Sequence, residues 1–180
     1  MNTLFGTTPD CYGFSRYTVA IHAPRDLAQT IMTFRANIGM ADLTSEPHIS
    51  ICASLHDIVD MDDLKSRLQN LADKLSPFYV QFAILAFHGG NNWGGLDVAL
   101  TPELQSLYDA VKQTIASAIT FGSDGNIEPH VTIFQSATDE EAQKGYELGS
   151  KTDFGTGFDV SSIELVGRLG PARGGTRTII

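Results

Sequence analysis

Two short stretches of this chain repeat one another. Glu46-Pro47-His48-Ile49-Ser50-Ile51 and Glu128-Pro129-His130-Val131-Thr132-Ile133 are identical at four positions and conservative at the other two, and they are spaced by about half of the 180 residues. Each copy carries an imidazole and, two residues on, a hydroxyl. Alternate residues of a strand share a face, so His48 sits beside Ser50 and His130 beside Thr132, while Ile49, Ile51, Val131 and Ile133 turn the other way into apolar packing. Two such strands facing one another would set two imidazoles on opposite sides of a tetrahedral phosphate and let two hydroxyls donate to its oxygens. That is the equipment for in-line phosphodiester hydrolysis: a neutral imidazole takes a proton from the attacking water, and a protonated one gives a proton to the departing oxygen. One His-x-[Ser/Thr] alone would be a commonplace strand tripeptide. Two inside a shared hexapeptide carry far more weight.

The elements that must position these residues are legible from periodicity and punctuation. Residues 15–23, 46–55, 78–87, 96–100, 128–134 and 158–166 are rich in β-formers and read as six strands, with a weaker seventh at 176–180. Between them lie four helical patterns. The first carries Leu27, Ile31, Phe34 and Ile38 and ends at Gly39. The second is capped by Asp60, carries Leu64, Leu68, Leu71 and Leu75, and stops at Pro77. The third opens with Thr101, Pro102 and Glu103 and runs through Leu104, Leu107, Tyr108, Val111, Ile115 and Ile119. The fourth begins with the capping-box pair Thr138 and Glu141 and ends near Gly149. The glycine-dense segment 88–95 reads as a turn or loop. The order is thus β-α-β-α-β twice, then a terminal strand, with one hexapeptide on the middle strand of each half. The expectation is a single α+β domain with halves of approximately 15–87 and 95–180.

On these residues the chain resembles the two-histidine (2H) phosphoesterase superfamily, and within it the 2′-5′ RNA ligase-like or cyclic phosphodiesterase group. The mark of that family is a pair of His-x-[Ser/Thr]-x motifs, apolar at x and separated by about half the chain, and both copies here match it. The resemblance implies a two-lobed, pseudo-symmetric duplicated β-α-β-α-β architecture with a central cleft. It also implies catalysis without a metal or other cofactor. His48, Ser50, His130 and Thr132 would form the site, with His130 as the water-activating base and His48 as the acid. Family substrates include RNA 2′,3′-cyclic phosphate ends, nucleoside cyclic phosphates, ADP-ribose cyclic phosphate, 2′-5′ linkages and RNA tails. The expected reaction is the opening of 2′,3′-cyclic phosphates on nucleotides or RNA ends. The alternatives are a nucleotide- or RNA-end-binding module and a 2′-5′ ligase or RNA-trimming activity.

Other residues suggest supporting roles. Arg168, Arg173 and Arg177 lie in an acid-free stretch and could grip a substrate phosphate, or form a solvated basic tail. Trp93, the single tryptophan, stands between the segment's asparagines and glycines and could stack on a base, or anchor the turn. Cys52 and Phe134 continue the parity of the two histidine faces, although core packing suits both better. Glu46 and Glu128 flank the two motif strands. His22, His56 and His88 have no partner spacing and read as structural or exposed, and no His-x₃-His or His-x-His pair suggests a metal site.

Bulk properties bound the partners. A net charge of −9 with only 12 basic residues disfavours tracking along a nucleic-acid backbone, which is driven by phosphate neutralisation, but permits a nucleotide or a single RNA end. No apolar run approaches a membrane span, the first residues lack the pattern of a secretory signal, and two cysteines make no disulfide framework. The expectation is a cytoplasmic monomer with no membrane partner.

Overall fold

The structure is a computed structural model that describes residues 14, 16–40, 45–55, 58–88, 92–115 and 128–168. Its elements follow the order β1 (Arg16–His22), α1 (Arg25–Asn37), β2 (His48–Leu55), α2 (Met61–Ala72), β3 (Phe78–His88), β4 (Trp93–Val98), α3 (Pro102–Ile115), β5 (His130–Gln135), α4 (Asp139–Gly149), β6 (Gly157–Val160) and β7 (Glu164–Arg168). The fold is α+β, as the sequence implies. All seven strands join one antiparallel sheet in the order β6-β3-β4-β5-β2-β1-β7. The two motif strands, β2 and β5, are therefore neighbours at its centre.

Helix ends obey the local signals. Gly39 adopts φ +83° just past α1, and the bonds Gly39 N–H to Ala36 O and Met40 N–H to Arg35 O close a Schellman turn. Asp60, Thr101 and Thr138 accept from the backbone N–H of Asp63, Leu104 and Glu141. The apolar stripes then pack behind the sheet, α3 against β2 and α1 against β5. Ile31, Phe34, Leu104, Leu107 and Val111 share that core with Ile49, Ile51, Val131 and Ile133. No helix among the described residues is long and apolar enough to cross a membrane.

Two expectations need correction. The run 158–166 is not one strand: β6 pairs with β3 and β7 with β1, at opposite edges of the sheet. A flat sheet of seven strands would hold those edges roughly 29 Å apart. Residues 161–163 can span no more than about 14 Å. The sheet must bend until its edges approach. The segment 88–95 is also not all turn. Asn92, at φ 54°, ends the turn, and Trp93, Gly94 and Gly95 already belong to β4. Glycines suit this strand because neighbouring side chains fill their space. A Cβ on Gly94 would collide with the Phe134 ring, and one on Gly95 would come within 2.8 Å of Val131 O and 3.1 Å of the Trp93 ring. The strand expected at 176–180, and Ile119 of the third helical pattern, lie outside the described residues.

Candidate functional site

The site begins at one cross-strand pair. β2 and β5 meet at Ile49 opposite Val131, both fully buried. Their flanking residues must face the other way, so His48, Ser50, His130 and Thr132 share one face and are all half-buried. Continuing the antiparallel register sets His48 level with Thr132 and Ser50 level with His130. The imidazoles are then on diagonal neighbours, residues roughly 7–8 Å apart in a regular ladder and somewhat closer at Cβ.

Both imidazoles are held in the same way. His48 Nδ1 lies 2.7 Å from the carbonyl oxygen of Glu46, and His130 Nδ1 lies 2.8 Å from that of Glu128. A carbonyl only accepts, so Nδ1 carries the hydrogen in each ring. Nε2 is then the atom that changes protonation: a lone-pair acceptor in the neutral ring, a donor in the charged one. The intervening prolines are fixed too. Pro47 O accepts from Ala23 N–H at 2.9 Å, and Pro129 O from Val98 N–H at 2.8 Å. The glutamates thus act on the histidines through their backbone, a role that side-chain reasoning does not reveal.

A register shift follows each motif hydroxyl. On β2, Ser50 pairs with Ala20 and Cys52 with the adjacent Val19; on β5, Thr132 pairs with Gly95 and Phe134 with the adjacent Gly94. In both cases the motif strand spends one residue more than its partner, which breaks the alternation of faces. Phe134 therefore leaves the histidine face and is fully buried against Gly94 and Gly145. Cys52 is half-buried and packs against the core beside Tyr108, whose phenol is pushed up to about 12, first by burial and then by negative charge on Cys52. Neither continues the site's surface, as strict alternation would have it.

Neighbouring strands add further groups. In β1, His22 pairs with His48, their ring centroids 5.8 Å apart. Its Nδ1 lies 3.2 Å from a carboxylate oxygen of Glu46 and its Nε2 lies 3.4 Å from one of Glu164. His22 thus links β1 to β7 and to the segment entering β2. In β4, Asp97 pairs with His130, and the Trp93 indole lies over Gly95 with its centroid 4.6 Å from that of His130. Sequence spacing singles out neither His22 nor Asp97, because each is brought to the site only by strand pairing.

The structure brings together His48, Ser50, His130, Thr132 and Trp93. Arg168 ends β7 opposite Arg16, four residues along from the Glu164–Ala20 level beside Ser50. That is roughly 13 Å along the strands. Arg173, Arg177 and His56 lie outside the described residues. No group of three or more His, Cys, Asp or Glu side chains able to hold a metal ion occurs among the described residues.

The profile of the family described as the 2'-5' RNA ligase superfamily matches residues 23–172. No curated protein sequence matches the chain. Among solved structures, Escherichia coli LigT complexed with 3'-AMP shares 17% identity at a TM-score of 0.61, covering 92% of this chain and 94% of its own. A structure described as a phosphoesterase shares 16% at 0.60 with the same coverage. LigT complexed with phosphate shares 18% at 0.56, covering 92% and 93%. At these identities the likeness concerns the fold.

Proposed function

The chain belongs to the 2'-5' RNA ligase superfamily, and from that premise we propose that it is a metal-independent phosphoesterase that opens 2′,3′-cyclic phosphates of nucleotides or RNA ends. The observation that carries this reading is the matched pair of Nδ1 contacts, which directs Nε2 of both His48 and His130 to proton transfer beside Ser50 and Thr132. In the proposed reaction, His130 Nε2 takes a proton from a water that attacks phosphorus in line. The bond from phosphorus to one ribose oxygen breaks, and His48 Nε2–H gives its proton to that oxygen. The product is a nucleoside monophosphate, and a proton passing from His130 back to His48 through solvent resets the pair. Ser50 and Thr132 donate to the non-bridging oxygens, whose charge grows in the transition state. The ring favours this step, since the departing oxygen stays tethered beside its acid.

The remaining assignments extend the same reading. Trp93 is the platform for a base, while Arg168 and Arg173 are candidates for holding a longer RNA end. The mirrored bonds to Pro47 and Pro129 and the paired register shifts support a duplicated, two-lobed architecture with the cleft at β2 and β5. A net charge of −9 supports a small or terminal substrate over an extended nucleic acid. A monomer in the cytoplasm is the setting we envisage.

A panel of 2′,3′-cyclic and 3′,5′-cyclic nucleotides, ADP-ribose cyclic phosphate and linear oligonucleotides, each with and without EDTA, tests the proposal. The expected outcome is preferential opening of the 2′,3′-cyclic esters, unchanged by chelation. Preference for linear oligonucleotides would make the protein an RNA-trimming enzyme. Loss of turnover in EDTA with recovery on adding zinc or manganese would contradict the metal-free mechanism.

A further inference from the structure

Strand β2 and strand β5 are each interrupted immediately after their hydroxyl residue, so the regular pairing that holds Ser50 to Ala20 and Thr132 to Gly95 does not continue on that side of either residue. In both places a helix from the other half of the chain supplies a donor. Tyr108 of α3 donates its hydroxyl to Ser50 O at 2.8 Å, and Arg35 of α1 donates through Nη2 to Thr132 O, also at 2.8 Å. Each helix leads in sequence to its own motif strand but packs behind the other one. We infer that Arg35 and Tyr108 are a reciprocal pair of positioning residues that fix the aim and separation of His48 and His130.

Arg35 has the larger share. Its Nε donates to Ile133 O at 3.0 Å, the residue within the register shift, and its Nη1 donates to Ser45 O at 2.7 Å, three residues ahead of His48. One planar guanidinium thus joins the interrupted part of β5 to the entry of β2. That matters because the two strands meet at the Ile49–Val131 pair. A lysine, with a single ammonium, cannot reproduce three donors in a fixed fork. Arg35 is 1% exposed and Tyr108 is 9% exposed, so neither reaches a substrate on the histidine face. Both stay donors at working pH: burial lowers the guanidinium only to about 10 and raises the phenol to about 12. The Schellman turn after α1 holds Arg35 itself, since Arg35 O accepts from Met40 N–H at 2.7 Å.

This inference rests on the two histidines being the acid–base pair, and its test separates the two claims. Arg35→Lys, Tyr108→Phe, His48→Ala and His130→Ala are prepared in the full chain and assayed with cytidine 2′,3′-cyclic phosphate. The folded fraction is followed by circular dichroism. Misplacement of reacting groups by about 1 Å can cost ~10²-fold in rate. We therefore expect kcat to fall by about 10- to 100-fold in Arg35→Lys and about 3- to 10-fold in Tyr108→Phe, per folded molecule, with KM moving less than about threefold. Near wild-type kcat per folded molecule in both variants, with the histidine variants inactive, would overturn the positioning role alone. Active histidine variants would overturn the acid–base reading whatever Arg35 does. Should Arg35→Lys fail to fold, Tyr108→Phe decides by the same kcat and KM split.

Discussion

The Trp93 indole and the His130 imidazole lie with ring centroids 4.6 Å apart and planes tilted by 36°. The aromatic surface therefore stands beside His130, and in the proposed reading it is the platform for the nucleobase. Base stacking on an aromatic side chain contributes about 1–3 kcal/mol. Trp93→Ala is expected to raise KM for a cyclic nucleotide roughly tenfold, while leaving KM for ethylene phosphate, which has no base, nearly unchanged. An equal rise for both would mean that Trp93 serves His130 and not the base.

The backbone carbonyls of Glu46 and Glu128 hold Nδ1 of His48 and His130. Glu46→Gln and Glu128→Gln should then keep kcat within about threefold of the parent, since one altered side-chain hydrogen bond is a modest net term. Glu46→Gln also replaces the carboxylate near His22, so any loss confined to it identifies the His22 link as the cause. Steady-state rates for the two variants check this. A hundredfold fall in both would show that the carboxylates act directly.

Phe134 is fully buried, and Gly94 and Gly145 lie against its ring. A methyl group at Gly94 has no space there. Gly94→Ala is expected to destabilise the protein by about 1–3 kcal/mol, the usual cost of overpacking, visible as a lower urea midpoint. Phe134→Leu in the same chain should recover part of the loss. An unchanged midpoint in Gly94→Ala would show that this corner of the sheet yields readily.

Much of this arrangement is legible in the sequence because its signals are local. The four helices, the β-α-β-α-β order and the pairing of each histidine with a hydroxyl all follow from periodicity, caps and the duplicated hexapeptide. What escapes is set by partners distant in the chain. The register shifts after Ser50 and Thr132 depend on what β1 and β4 offer; residue type favours core packing for Cys52 and Phe134, but strict alternation gives no reason for it. Gly94 and Gly95 read as turn residues until Trp93 and Phe134 are seen to occupy their space. Arg35 carries no local signal in the sequence, because the three carbonyls that accept from it and let it be buried come from other segments. The break between β6 and β7 follows from their pairing at opposite edges, which the apolar pattern of 158–166 does not contain.

The acid–base assignment is tested most directly by turnover of cytidine 2′,3′-cyclic phosphate across pH in the parent, His48→Ala and His130→Ala proteins. General acid or base catalysis contributes about 10²–10⁴ in rate. A bell-shaped profile is expected for the parent, and a folded protein with kcat lower by that factor in each variant. His130→Ala should lose the limb belonging to the base, and His48→Ala the limb belonging to the acid. Near-parental kcat in either folded variant would contradict the two-histidine mechanism.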